Sequence, residues 1–250
     1  FESLARTLEQ ERARLRLWQT VEPQYQKKYE DVLAPLETVE VELKAKLVFC
    51  FDHACKQKEL TKAERALASE IAAQLAQETL DAIVLDGTPA ECDADRLKAL
   101  YLKHGGSDYD GELEDEEDKA PTPVVAADAV AVAPELAAEI EALAAADADQ
   151  QAKVGEDRYA QYNQALESLI AAVAAQLVAV EDAFKARYHF DPAQSIDPSD
   201  LMEDLDAEIE DAQEYIGELE FELSQFVDMQ QVKAWLKAMK KQLAAPNRRG

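Results

Sequence analysis

From Leu205 to Phe226 the apolar residues recur at spacings that alternate between four and three: Leu205, Ile209, Ala212, Ile216, Leu219, Leu223 and Phe226. Such a heptad row buries one narrow face of a helix and requires a second helix to cover it. The same alternation runs through Tyr25, Tyr29, Val32, Leu36, Val39 and Leu43. Chain breakers are scarce, with 7 Gly and 9 Pro in 250 residues, while Ala, Leu, Glu and Gln are abundant. Helices can therefore run long and loops are few. No run of alternating β-branched residues suggests a strand. The pattern predicts an all-α fold built from long amphipathic helices, with an N-terminal helical bundle and a C-terminal antiparallel coiled-coil hairpin.

Local signals divide the chain into elements. A first helix is predicted over residues 2–20 and ended by Pro23. A second follows from Gln24 to about Lys56, kinked where Pro35 removes a donor from the ladder. Thr61-Lys62-Ala63-Glu64 is a capping box that opens a third helix, in which hydroxyl and carboxylate satisfy each other's orphan N–H groups. A fourth begins near Asp93 and stops at Gly105-Gly106. Residues 107–134 read as a linker: Asp108 to Asp118 holds eight acids and no base, and prolines follow. Like-charge repulsion and proline keep such a stretch extended and mobile. Beyond it a helix over about residues 156–188, a reversal at residues 191–198, and one helix over 198–243 make the hairpin. Its apolar row is expected to face Leu166, Leu169, Val173, Leu177 and Phe184. The predicted domains are residues 1–106, the linker 107–134, and 135–250.

Charge narrows the partner. The net charge is −26. Residues 1–106 contribute only −4 of it, so the acidic surface belongs to the second part. Phosphate binding needs clustered Lys and Arg, so direct nucleic-acid binding is disfavoured. No stretch reaches the roughly 20 apolar residues that cross a bilayer, and no membrane partner is expected. Three cysteines, Cys50, Cys55 and Cys92, fit a reducing compartment better than a disulfide framework, which points to the cytoplasm.

Catalytic and metal signals are weak. Cys50, His53 and Cys55 have ligand-type side chains, but on a helix position 55 lies about 140° from position 50, and no second ligand pair accompanies them. Asp108-Tyr109-Asp110-Gly111-Glu112 lacks the fixed twelve-residue loop of a calcium site. His104 and His189 sit at helix ends, where the macrodipole favours them. There is no P-loop, GxGxxG, HExxH or GxSxG. We therefore expect no enzyme activity, no cofactor and no metal.

The segment Asp200 to Asp228 holds 12 acids, and no Lys or Arg lies between Arg187 and Lys233. Acids early and lysines late complement the helix dipole. Tyr215 and Phe221 fall off the heptad row, beside Glu214, Glu218 and Glu222. Aromatic groups amid charge are common at interfaces, so these five residues are the predicted partner-binding set. Trp18 and Trp235 are further candidate anchors.

Several segments resemble bacterial J-domain (DnaJ-like) co-chaperone proteins. They are Leu17-Trp18-Gln19, Ala34-Pro35-Leu36, Leu60 to Arg65, Leu97 to Tyr101, Tyr162 to Leu166, Leu205 to Ile209 and Val232 to Lys237. The resemblance covers roughly residues 1–112 and 156–243 and implies a chaperone-like helical scaffold in a bacterial cytoplasm. A J domain stimulates its ATPase partner through a His-Pro-Asp tripeptide, and this chain contains none; His189-Phe190-Asp191-Pro192 has the ingredients in another order. The resemblance therefore does not carry ATPase stimulation with it. The function expected is a non-catalytic scaffold or adaptor that binds a protein partner through coiled-coil and acidic helix faces, with self-association through the coiled-coil faces a further option. The alternative is an acidic decoy that mimics nucleic acid in a partner's basic groove.

Overall fold

A computed structural model of the chain describes residues 1–112, 132, 134–146 and 155–244, with the side chains of the last helix described to residue 241. The described residues are helices and connecting turns, without a β-strand among them. Helix α1 spans Glu2–Lys28, a π-helical segment Tyr29–Leu33, α2 Ala34–Cys55, α3 Lys62–Asp86 and α4 Ala94–Gly105. Then come α5 Pro134–Ala144, α6 Glu156–Arg187, α7 Leu201–Gln225 and α8 Met229–Ala244. The fold is all-α. No described helix is long and apolar enough to cross a membrane.

Packing groups the chain into two compact units, each made of two stretches of sequence. The first comprises Phe1–Lys27 with Pro123–Asp204, the second Lys28–Thr122 with Leu205–Gly250. These divisions lie elsewhere than the composition boundaries at 106 and 134. Composition reports where charge changes, whereas the units report which apolar faces meet.

In the first unit, Leu8 of α1, Ile140 of α5 and Tyr162, Ala165 and Leu166 of α6 form one core. A second contact zone is aromatic. Phe184 meets Trp18 at 5.3 Å and Tyr25 at 4.9 Å between ring centroids, and Tyr25 meets Tyr188 at 4.8 Å. Edge-to-face geometry of this kind adds to the area buried. Trp18 is fully buried, so it is a core residue and not the exposed anchor expected. The reversal after α6 is held by buried Lys185, whose Nζ donates to Glu181 at 2.9 Å and to the Pro192 carbonyl at 3.2 Å. Asp197 then accepts the Ser199 N–H at 3.0 Å, satisfying a donor where the chain turns back.

In the second unit α2 is buried on two sides. Leu43, Leu47, Phe51 and Ala54 join Ala68 and Ala72 of α3, Leu219 of α7, and Val232 and Leu236 of α8. Ala45 and Val48 join Ala76 and Leu80 of α3, with Leu97, Leu100, Tyr101 and Tyr109. Fully buried alanines at positions 68, 72 and 76 leave no bulk between α2 and α3, which lets the two backbones approach. The predicted capping box is present: Thr61 Oγ1 accepts the Glu64 N–H at 3.2 Å, and Glu64 accepts the Thr61 N–H at 2.8 Å. Asp93 caps α4 through the Arg96 N–H at 3.0 Å. Gly106 ends that helix with φ +81, the left-handed conformation that glycine adopts freely.

Three expectations change. Pro23 lies inside α1 and does not end it; burial of Trp18, Val21 and Tyr25 along one face holds the helix through the missing donor. Instead of a simple kink at Pro35, the ladder opens into the π-helical turn, where the Ala34 N–H reaches the Tyr29 carbonyl. That wider turn precedes the proline, whose absent N–H and ring disfavour an ordinary turn. Finally, the single helix 198–243 is two helices broken at Phe226–Asp228. Ser224 Oγ donates to the Phe221 carbonyl at 2.6 Å, competing for a ladder acceptor, and Asp228 accepts the Gln230 N–H at 3.1 Å to start α8. The break allows Val232 and Leu236 to share the core that Leu219 already occupies.

The C-terminal half of the heptad row also meets a different partner. Leu219, with Ile216, Leu223 and Phe226 packed around it, faces Leu43, Leu47 and Phe51 of α2. Leu166, expected opposite that row, packs with Leu8 and Ile140. Residues 107–112 are not free linker either. Tyr109 is buried and donates to Asp81 at 2.7 Å, Tyr101 donates to Glu112 at 2.8 Å, and Lys98 pairs with Asp110 at 2.6 Å. The expected mobility of the remaining linker falls on 113–131 and 133, outside the described residues.

Candidate functional site

Four of the five predicted partner-binding residues line one groove of the second unit. Glu214, Glu218, Phe221 and Glu222 form its α7 wall with Gly217, and Trp235, Ala238 and Met239 form its α8 wall, around a volume of about 670 Å³. Positions 214, 218 and 222 follow one another by four residues, so their carboxylates rise along a single ridge of α7. None of the three has a basic partner among the described residues. Phe221 is 65 % exposed, the largest aromatic surface open on α7. Trp235 turns one face inward against Phe51, at 5.5 Å between centroids, and lends its remaining surface to the groove. Gly217 has nothing within 4 Å of where a Cβ would stand, so its absent side chain widens the α7 wall.

The groove is electrostatically uneven. Glu222 is partly buried; that burial, followed by the charge of Glu218, pushes its carboxyl above the usual carboxylate range. Removing water from a carboxylate disfavours its charge, and a like charge nearby adds to this. The attraction of a cation at this point would offset both penalties.

Tyr215 departs from the set. It packs against the core under α7, and Lys44 Nζ sits 5.1 Å above its ring. Lys44 is itself held by Glu40 at 2.9 Å and Glu78 at 3.3 Å. Burial pushes the Tyr215 hydroxyl up. Tyr215 is thus a structural contact and does not line the groove. Its place off the heptad row is covered within its own unit.

The ligand-type residues of the sequence do not converge. His53 faces Gln57 at 2.8 Å, while Cys55 Sγ lies 3.6 Å from the Arg65 carbonyl. Burial pushes the thiols of Cys50, Cys55 and Cys92 up, away from reactive thiolate. Among the described residues no group of three or more His, Cys, Asp or Glu is arranged to hold a metal ion.

Sequence reasoning missed a network around Asp52. This buried carboxylate accepts Lys56 Nζ at 2.6 Å, Lys103 Nζ, and His104 Nε2 at 3.0 Å. Burial works to raise its carboxyl, but these hydrogen bonds outweigh burial and hold it well below the usual carboxylate range. The other ring nitrogen of His104 stands 2.8 Å from Ser69 Oγ. The order Ser69–His104–Asp52 matches that of a nucleophile relay. However, Ser69 lies inside α3, where neighbouring N–H groups are spent on the helix ladder and cannot stabilise an oxyanion. The network joins α2, α3 and α4. Its sequence signal was the Asp52–Lys56 spacing of four, which is indistinguishable from an ordinary surface pair.

No protein-family model matches the chain, and neither does any curated protein or solved structure.

Proposed function

We propose that this chain is a non-catalytic interaction scaffold of adaptor or chaperone-like type, and that the α7–α8 groove is where a protein partner docks. One observation carries the reading: an exposed Phe221 stands on the same wall as three carboxylates without basic partners. Apolar surface rimmed by polar groups marks interaction sites. Resemblance to J-domain proteins adds the chaperone-like character. It does not add ATPase stimulation, because no His-Pro-Asp is present. The sparse, unpaired cysteines support a cytoplasmic setting. The decoy reading is weaker, since a nucleic-acid mimic calls for solvated charge, whereas Glu222 is half-buried.

The test replaces Glu214, Glu218 and Glu222 with Lys together and compares partners cross-linked to the full chain before and after. Loss of a partner by a variant with unchanged circular dichroism supports the docking face. Unchanged partners would reduce the acidic wall to solvated surface.

A further inference from the structure

We infer that the occupant of the α7–α8 groove is an amphipathic α-helix carrying lysine or arginine at a four-residue repeat beside a large apolar side chain; this rests on the docking reading above. Three features select that chemistry. The ridge Glu214–Glu218–Glu222 repeats every four residues, about 6 Å along the axis at 1.5 Å per residue. A partner helix with cations at the same repeat meets all three carboxylates at once. The wall opposite is apolar, with Trp235, Ala238 and Met239, and Phe221 projects beside the ridge. The occupant must therefore bring apolar surface as well as charge. Glu222, partly desolvated and repelled by Glu218, is the carboxylate most improved by a cation.

A helix is favoured over an extended strand by its backbone. The N–H and C=O groups of α7 and α8 are used within those helices, so the walls offer no ladder to a strand. A helix satisfies its own backbone and needs only side-chain contacts. A second copy of the chain is disfavoured by its own packing. Lys233, Lys237 and Lys241 of α8 do repeat every four residues, but the apolar residues beside them, Val232 and Leu236, are buried in their own core. That helix cannot present both charge and apolar surface without leaving its unit.

The test uses the full chain and two labelled peptides of about 20 residues, long enough for several helical turns. In one, three lysines stand four residues apart with leucines between them on the same face. The other has the same composition with the lysines scattered around the helix. Fluorescence anisotropy is expected to show the patterned peptide binding about tenfold tighter, as three exposed pairs and an apolar contact together supply. Phe221→Ala and Glu218→Lys should each remove that preference. Equal binding of both peptides would overturn the inference and indicate attraction by net charge alone. So would sedimentation showing that the chain self-associates and that Phe221→Ala disperses it, because a second copy would then be the occupant. If the peptides are not distinguished but cross-linked partners still depend on Phe221, the docking reading stands and only the helical occupant fails.

Discussion

Asp52 and the Glu214–Glu222 ridge are carboxylates in the same unit under opposite conditions. Asp52 is buried and answered by Lys56, Lys103 and His104. In the ridge Glu214 and Glu218 are exposed and Glu222 is half-buried, and none of the three has a basic partner among the described residues. In the first, cations from two helices convert a costly buried charge into a joint between helices. In the second, the charge stays uncompensated, and what could compensate it must come from outside. Whether a carboxylate is tied into the fold or left without a cation thus depends on where the chain places its lysines.

The largest effect expected from this contrast is at Asp52. Asp52→Ala strands His104 and frees two lysines, and should cost about 2–3 kcal/mol. That is at or below the usual range for a broken buried pair, because Lys56 and Lys103 are 62 % and 47 % exposed and return to water. A fall in the urea midpoint at unchanged slope is the measurement. The pH dependence has a definite sign. The folded carboxyl of Asp52 lies below its unfolded value, so its contribution is present above roughly pH 4 and is lost as pH falls further. Asp52→Asn should flatten that acid limb; an unchanged limb would mean other carboxylates carry it.

Tyr109 is an intermediate case, in which a neutral donor answers Asp81. Tyr109→Phe keeps the ring in the core and removes one hydrogen bond, for an expected loss of about 1 kcal/mol. No loss would mean that Asp81 gains as much from water, and that the helical segment 109–112 is held by the ring alone.

Glu222 should behave with the opposite sign to Asp52. Its folded carboxyl lies above the unfolded value, so its relative contribution is present below roughly pH 4 and is lost as pH rises through the raised value. Glu222→Gln should therefore stabilise the protein at neutral pH by a few tenths of a kcal/mol after screening by water, with the gain vanishing in acid. A destabilised variant would show that Glu222 is answered by a cation within the fold. The smallest stability effect belongs to Glu214→Lys with Glu218→Lys, expected within about 0.5 kcal/mol of the parent, although the same changes should abolish docking. A large destabilisation would make the ridge structural and erase the contrast with Asp52.

Features set by neighbours in the chain were legible without a fold. The capping box at Thr61 and Glu64, the Asp93 cap and the Gly106 stop each depend on groups within a few residues, so the letters contain the physics. The ridge of Glu214, Glu218 and Glu222 was legible for the same reason, because helical spacing alone puts it on one face. What a face meets was not legible. A heptad row shows that a seam must be covered but not by which helix, because Leu, Ile and Phe on any partner release similar apolar area from water. Only tertiary packing decided that Leu219 would lie on α2, that Trp18 would be core, and that Tyr215 would turn inward beneath Lys44. The break at Phe226–Asp228 has the same origin. Neither Pro nor Gly marks it, and it persists because folding α8 back buries Val232 and Leu236, which a straight helix would carry past the core. Asp52 shows the limit most clearly. Its role depends on Lys103 and His104, about fifty residues away in sequence, and only the folded chain brings those charges together.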